Sequence, residues 1–365
     1  TADRPDADLG DGICDADLDT PGEQVTLRAA VQHTNATPGS DVIRLPAGTY
    51  ALTIGGSGES AGATGDLDLT DDVSIYGAGP DVTIVNAKKA KDRAFDIHTA
   101  VVARIQGLAI TGGRAPEEES GGGIRSANGL VAIEDCVISK CQASDDAGGF
   151  DMRGGTSTLT RVWLTGNKAG DDGGAIDQDN GTLTLVDCAL TRNSAGSEGG
   201  GIENSAGTLS MTNCTISGNK GKANAGGISV EESGTLLMTN CTVAFNKAKR
   251  ASGIATTDLV YGDGAVTSRN SIFARNGKGN ADQPIGTAGG NLDDGTTLGF
   301  GIADLSGQDA RLGKLAMNGG IGPTHAIPAE SPAVGLAVLG YPPEDQRGVP
   351  RTAPVCAGAY ELTVN

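Results

Sequence analysis

The 365-residue chain carries 45 Asp and Glu against 27 Lys and Arg, a formal charge of −18 with no basic run, which sets it against nucleic acid and anionic membranes. Gly accounts for 58 residues and aromatics for only 3%, the balance of a chain that turns tightly many times rather than one wrapped around a large aromatic core. It contains no run of about 18 consecutive apolar residues, so no segment reads as membrane-spanning.

The sequence opens TADRPD, without Met or an apolar leader, so an exported precursor would already have lost its signal peptide. Asp3, Asp6, Asp8, Asp11, Asp15, Asp17 and Asp19 follow closely. The string DADLGDG has one residue too many for an EF-hand loop, where Gly follows the third ligand. Calcium held by Asp6, Asp8 and Asp11 is the functional expectation here, and a solvated acidic loop is the alternative. Thr26 then caps a short helix, LRAAVQHTNA, with Leu27, Ala30 and Val31 on one face. Residues 1–40 therefore read as an acidic loop and a helix closing the end of whatever follows.

From residue 41 to 276 the pattern is of short β-runs and turns, irregular at first in DVIRLPAGTYAL, DLDLTDDVSIYGAG and RAFDIHTAVVARIQGLAITGG. Between 121 and 254 it becomes periodic. An apolar residue after Gly-Gly falls at Ile124, Phe150, Ile176, Ile202 and Ile228, each 26 residues on, and Ile254 continues the series. A second column runs Cys136, Val162, Cys188 and Cys214, reaching Cys241 after a one-residue insertion. A third runs Cys141, Asn167, Asn193, Asn219 and then Asn246. A unit of this size with several short alternating strands is one coil of a β-solenoid. The expectation is an all-β, right-handed parallel β-helix whose coils pair along the axis at about 4.8 Å per step.

Each column then has a structural role. The Ile column fills the core. The cysteines point inward as small apolar thiols, the alternative being a disulfide ladder. The Asn column lies at a corner, where amides bond from coil to coil and Asn accepts left-handed geometry. With seven Cys, an odd number, at least one is free or pairs outside the chain, and Cys14 and Cys356 are the expected disulfide participants. From 277 to 365 the period lapses into a Gly- and Pro-rich segment expected to cover the far end or run along one face.

The repeats, with their Gly-Gly-apolar strings and TRN, TISGN and VAFNK corners, resemble polymorphic outer-membrane-protein repeats. DGIC…VTLRAAVQHTNA is similar to the N-terminal Cys-Ser-Leu-Arg-Glu motif of bacterial surface β-helices. Val25 stands where many of those carry a second Cys, which leaves Cys14 without the local partner the resemblance implies. The tail, DARLGKLAMNGGIGPTHAIPAESPAVGLA with DQRGVPR and CAGAYE, resembles a choice-of-anchor Q module. These resemblances imply export to the cell surface or medium and a pectate-lyase-like β-helix.

Chemistry is harder to find. His33, His98 and His325 are far apart, and Gly58-Glu59-Ser60-Ala61-Gly62 fits G-x-S-x-G without the strand and helix a nucleophile elbow needs. Two acidic columns stand out. Asp145, Asp146, Asp171, Asp172 and Glu198 precede the Gly-Gly corner, and Asp151, Asp177 and Glu203 follow the Ile column, where strand alternation turns them outward. Carboxylates one strand spacing apart repel by roughly 1 kcal/mol in water and about 3.5 kcal/mol at an effective dielectric of 20. Such repetition invites Arg153, Lys168 or a divalent cation. Calcium at Asp145, Asp146, Asp171, Asp172 and Glu198 is one expectation, a solvated ridge another, and a glycoside-cleaving carboxylate pair a third. The leading functional expectation is a non-catalytic exported β-helix, structural, adhesive or binding a surface protein or polysaccharide. The alternative is a polysaccharide lyase or glycoside hydrolase with a groove on the same helix. Lyases of this fold set Arg or Lys beside a calcium-bound carboxylate, and Arg153 and Arg161 lie near the acidic columns. With Trp163 the lone Trp and few Tyr or Phe in the repeats, a saccharide-gripping enzyme groove is disfavoured.

Overall fold

The computed structural model describes residues 2–256, 264–299 and 301–363. Nearly every strand is parallel to its neighbour, and they form three long sheets of ten, eleven and eight strands. From Asp41 to Ala274 the chain visits the three sheets in rotation, so each of these coils contributes one strand to each sheet. Strands of the first sheet read out-in-out-in-out. In Leu130–Glu134, for example, Val131 and Ile133 are buried between partly exposed or exposed neighbours. That alternation is the period-2 signal, and it sets the register: Val131 pairs with Ser157, and Leu183 with Leu209.

The third sheet carries the 26-residue column. Phe150, Ile176, Ile202, Ile228 and Ile254 pair in direct register and are completely buried. The column extends upstream through Leu67, Phe95 and Ile124 although spacing there is irregular. The one-residue insertion lies between Ile228 and Thr235, in the turn from the third sheet to the first, because Thr208 still pairs with Thr235. The insertion is confined to that turn, and the sheets do not register it.

Two corners per coil are left-handed. Asp135, Arg161, Asp187, Asn213, Asn240 and Asn270 turn the chain from first to second sheet with φ between 51° and 56°. After the second sheet, Lys140, Gly166, Arg192, Gly218, Phe245 and Arg275 do the same with φ between 56° and 68°. The Asn column expected to take this geometry sits one residue later and does not. Asn167, Asn193, Asn219 and Asn246 lie inside the coil. Each Oδ1 accepts the backbone N–H of the previous rung, as in Asn193 N to Asn219 Oδ1 at 2.9 Å. Each Nδ2 donates to the next Oδ1 and to a carbonyl of the coil before, as Asn219 does to Asn246 and Leu190. Every rung is thus satisfied without water, which is what permits amides in a dry core.

Cys136, Cys188, Cys214 and Cys241 are buried and unpaired, so the column is one of apolar thiols, not bridges. Burial pushes Cys136 and Cys141 up to about 12. Cys14 and Cys356, expected as the disulfide participants, are free thiols as well. Native protein should therefore leave Cys188 and Cys214 unmodified by a thiol reagent that labels all seven in denaturant. Rapid labelling of either, mapped by peptide mass, would contradict the inward column.

The helix forms as expected, Leu27–Ala36, with Thr26 Oγ1 accepting from Ala29 N at 3.1 Å. Leu27 and Val31 enter the core of the solenoid. Beside them Arg28 is fully buried, bonded to Asp3 and, at 2.8 Å each, to the carbonyls of Gly62, Gly65 and Asp66. One guanidinium so ties the N-terminal segment to the first coils. No helix among the described residues is long and apolar enough to cross a membrane.

Beyond residue 277 the first and second sheets gain short strands, Gly286–Thr287, Leu292–Asp293 and Leu305–Ser306, that prolong the stack. The chain then reverses and lies as a strap along the outer face of the second sheet. Val338 bonds Asn270, Ala359 bonds Thr242, Gln346 bonds Thr215, and Arg351 bonds Asn213. His325 stacks on Phe245 with ring centroids 4.9 Å apart and bonds Ser217. The strap turns Ala189, Thr215, Thr242 and Ile272 from outward residues into buried ones.

Candidate functional site

The third sheet has an outer face built from one position per coil: Asp68, Asp96, Arg125, Asp151, Asp177, Glu203 and Ser229, each paired with the next. Strand alternation points these side chains away from the core, as expected, but not into solvent. Asp151, Asp177 and Glu203 are at most 4% exposed. The loops entering the strands fold back over them at a left-handed residue, Gly121, Gly173 and Gly199 in three coils and Ala147 and Ala225 in two others. A Cβ on Gly173 would stand 2.7 Å from that of Asp177, and one on Gly121 3.0 Å from that of Asp151, so at these two positions a side chain would press on the acid beneath.

Those loops carry Asp145, Asp146, Asp171, Asp172 and Glu198, and the structure gives part of that column a structural task. Asp146 Oδ1 accepts from the backbone N–H of Asp172 at 2.9 Å, and Asp172 Oδ1 accepts from that of Glu198 at 2.6 Å. The period of this acidic column is that of a loop-to-loop ladder. Burial, opposed by those bonds, raises Asp146 to about 6 and Asp172 to about 7. Asp145, Asp146 and Asp171 do bring carboxylate oxygens within 4.8 Å of one another, whereas Asp172 and Glu198 lie outside that group. Asp6, Asp8 and Asp11 do not converge: each caps the turn beginning at itself, accepting from the N–H of Asp8, Gly10 and Ile13 respectively. These are Asx-turns, a local reason for Asp at every second or third position.

Along the outer face, charge is compensated unevenly. Upstream, Arg93 pairs with Asp66, Asp96 and Glu119; Arg125 pairs with Asp96 and Glu119; and His98 Nε2 lies 2.8 Å from Asp68. Downstream, Asp151, Asp177, Asp179 and Glu203 have a single guanidinium bonded among them, that of Arg153 at 3.0 Å from Asp151 Oδ2. Asp151 Oδ1 is buried with no hydrogen-bond partner. Burial, then the neighbouring Glu203 carboxyl, raises Asp177 well above the usual carboxylate range. Burial raises Asp151 to about 6. Asp151, Asp177 and Asp179 present oxygens within 4.8 Å of one another. Asp179 escaped the sequence reading because it belongs to no column: its counterparts are Arg153 and Ser205 in neighbouring coils. The available signal was its place two residues after Asp177, where alternation carried one residue past the strand end at Gln178 keeps it on the same side.

A second site lies where the strap ends. A cleft of about 440 Å³ opens there between the second sheet and strap residues Met317, Ile321, Glu344 and Gln346. Its sheet wall is Val137 and Trp163, with Asp135, Arg161 and Asp187 at the adjoining corner. Trp163 Nε1 donates to Thr191 Oγ1 at 2.8 Å, which fixes the ring. Arg161 is held by Asp135, with Nη2 to Oδ2 at 2.9 Å, and its charge serves that corner, not the acidic face. Gln346 Nε2 is buried and unpartnered. The other sequence candidates carry no catalytic geometry. His325 lies beneath the strap, and Glu59 Oε2 and Oε1 accept from Ala61 and Thr64 to shape a loop at the G-x-S-x-G string.

A family model described as the right handed beta helix region matches residues 103–297. Among solved structures, pectate lyase Pel9A is similar at 15% identity with a TM-score of 0.49, over 94% of this chain and 93% of that one. None of the curated proteins matches.

Proposed function

From the premise that the chain belongs to the right-handed β-helix family, which the match over more than half its length shows, we propose that it is a non-catalytic exported protein of the cell surface or matrix that binds a polysaccharide. The observation that carries this reading is the cleft beside Trp163. A fixed indole offers an apolar platform to a sugar ring, while the Asp187 and Glu344 carboxylates offer acceptors to hydroxyls. Asp151, Asp177 and Glu203 of the third sheet, by contrast, are buried beneath the loops that enter its strands, and Arg153 beside them is engaged by Asp151. A glycan has no route to that carboxylate pair. Net charge favours a neutral glycan over a uronate.

The test is a screen of neutral and uronate-containing polysaccharides, with and without calcium, read for both binding and cleavage. Trp163 is the lone tryptophan, so its emission reports occupancy of the cleft directly. A binding glycan should shift that emission, and Trp163→Ala should weaken binding, measured by calorimetry, by about tenfold or more. Cleavage of any polysaccharide at enzymatic rates would overturn the non-catalytic reading in favour of a lyase or hydrolase.

A further inference from the structure

Independently of the cleft, we propose that Asp151, Asp177 and Asp179 form a divalent-cation site on the outer face of the third sheet, suited to calcium. Two adjacent coils build it: Asp151 and Asp177 are register partners, and Asp179 stands one residue past the end of the Asp177 strand. Oxygens from the three lie within 4.8 Å of one another, about the span across a calcium ion with ligands at 2.3–2.6 Å on opposite sides.

Three acidic groups close together do not make a site; what sets these apart is a buried carboxylate oxygen left without a donor. Asp151 has a side chain only 1% exposed, and one of its oxygens, Oδ1, has no partner at all. A buried carboxylate oxygen without a donor is costly, and buried charges are paired or coordinate metals. In the coils just upstream the same column shows the alternative solution: Arg93, beside Asp96, and Arg125, the register partner of Asp151, both bond Asp96 and leave Asp151 Oδ1 without a donor. Downstream, one guanidinium touches the group through Asp151 Oδ2 and leaves Oδ1 free. All the donors are oxygens, without sulfur or imidazole, which selects a hard cation, and their arrangement on two strands favours calcium over the stricter octahedron of magnesium. The site differs from the loop cluster of Asp145, Asp146 and Asp171, where Asp146 Oδ1 is already occupied by the Asp172 N–H.

The full chain, stripped with chelator, is titrated with calcium chloride and separately with magnesium chloride, following melting temperature and heat of binding. One calcium should bind per chain and raise the melting temperature, reversibly on chelation, with magnesium weaker. Asp179→Asn, at a half-buried position the fold tolerates, should weaken calcium binding by at least about tenfold, as should Asp151→Asn. Asp145→Asn with Asp171→Asn should leave it unchanged. Should Asp151→Asn fail to fold by circular dichroism, Asp179→Asn decides. Absence of any calcium effect on the wild type at millimolar cation overturns the proposal. So does calcium binding that survives Asp179→Asn but is lost in the loop variant. Neither outcome touches the glycan reading, which is scored on Trp163 emission.

Discussion

Ile202→Asp is expected to unfold a block of coils rather than one, with a large fall in melting temperature and loss of β-signal in circular dichroism. Ile202 is completely buried and pairs with Ile176 on one side and Ile228 on the other. The substitution removes the apolar contacts of both interfaces and sets a carboxylate in a stack with no donor near it. Loss of the Ile side chain alone costs about 2–5 kcal/mol, and burial of the acid adds to it. In a solenoid each coil is stable only against its neighbours, so damage at one interface spreads to both. Ile202→Val is the control, expected to cost about 0.5–1.5 kcal/mol with cooperative melting retained. A melting temperature for Ile202→Asp equal to wild type would refute the stacked-core assignment.

Stability is expected to fall as pH rises from about 4 to 8, the reverse of common acid denaturation. Asp66 is raised to about 8, first by burial and then by Asp92, while Asp92 and Asp146 are raised to about 6 and Asp172 to about 7. In the unfolded chain these groups lose their protons near pH 4. Across the window between the two sets of values the native state holds more protons than the unfolded one. Stability is therefore fully present below pH 4 for these groups and is lost as pH climbs through their native values. Each proton so held gives a slope of about 1.4 kcal/mol per pH unit. Several act together between pH 4 and 6, and the slope flattens as each native value is passed. The groups lowered by partners, Asp17, Glu119, Asp135 and Asp309, act below that window and with opposite sign. Melting temperatures in calcium-free buffers at pH 5 and pH 8 check this, and a higher value at pH 8 would contradict it.

The fold was legible because a solenoid writes its geometry into the sequence: a residue that must stack recurs at the coil period. Ile176 and Cys188 could be assigned to the interior from spacing and alternation, whereas Asn193, read as a corner residue, lies inside the coil. What spacing does not encode is what lies across a face. Asp177 and Glu203 were correctly turned away from the core, yet the loops that cover them are placed by Gly173 and Gly199, whose role shows only in three dimensions. The repeating acids of the loops gave the strongest periodic signal because they are a ladder of backbone acceptors. Asp179 and Gln346, which are non-periodic, gave none. A repeat reveals what every coil shares, and a site made by one or two coils is what they do not.

The strap has a mechanical consequence. Tension along the axis acts on hydrogen bonds that lie parallel to the pull, so each coil junction must open all its ladder bonds at once. From Ala189 to Ile272 the strap bridges successive coils like a tendon, its bonds to Asn213, Thr215, Thr242 and Asn270 bearing load alongside the ladders. Upstream of Trp163 the second sheet has no such tie among the described residues. A rod gripped at its two ends is therefore stiffer in its C-terminal half, and it yields first between the cleft and the helix, leaving the strapped coils to hold their shape after the others have parted.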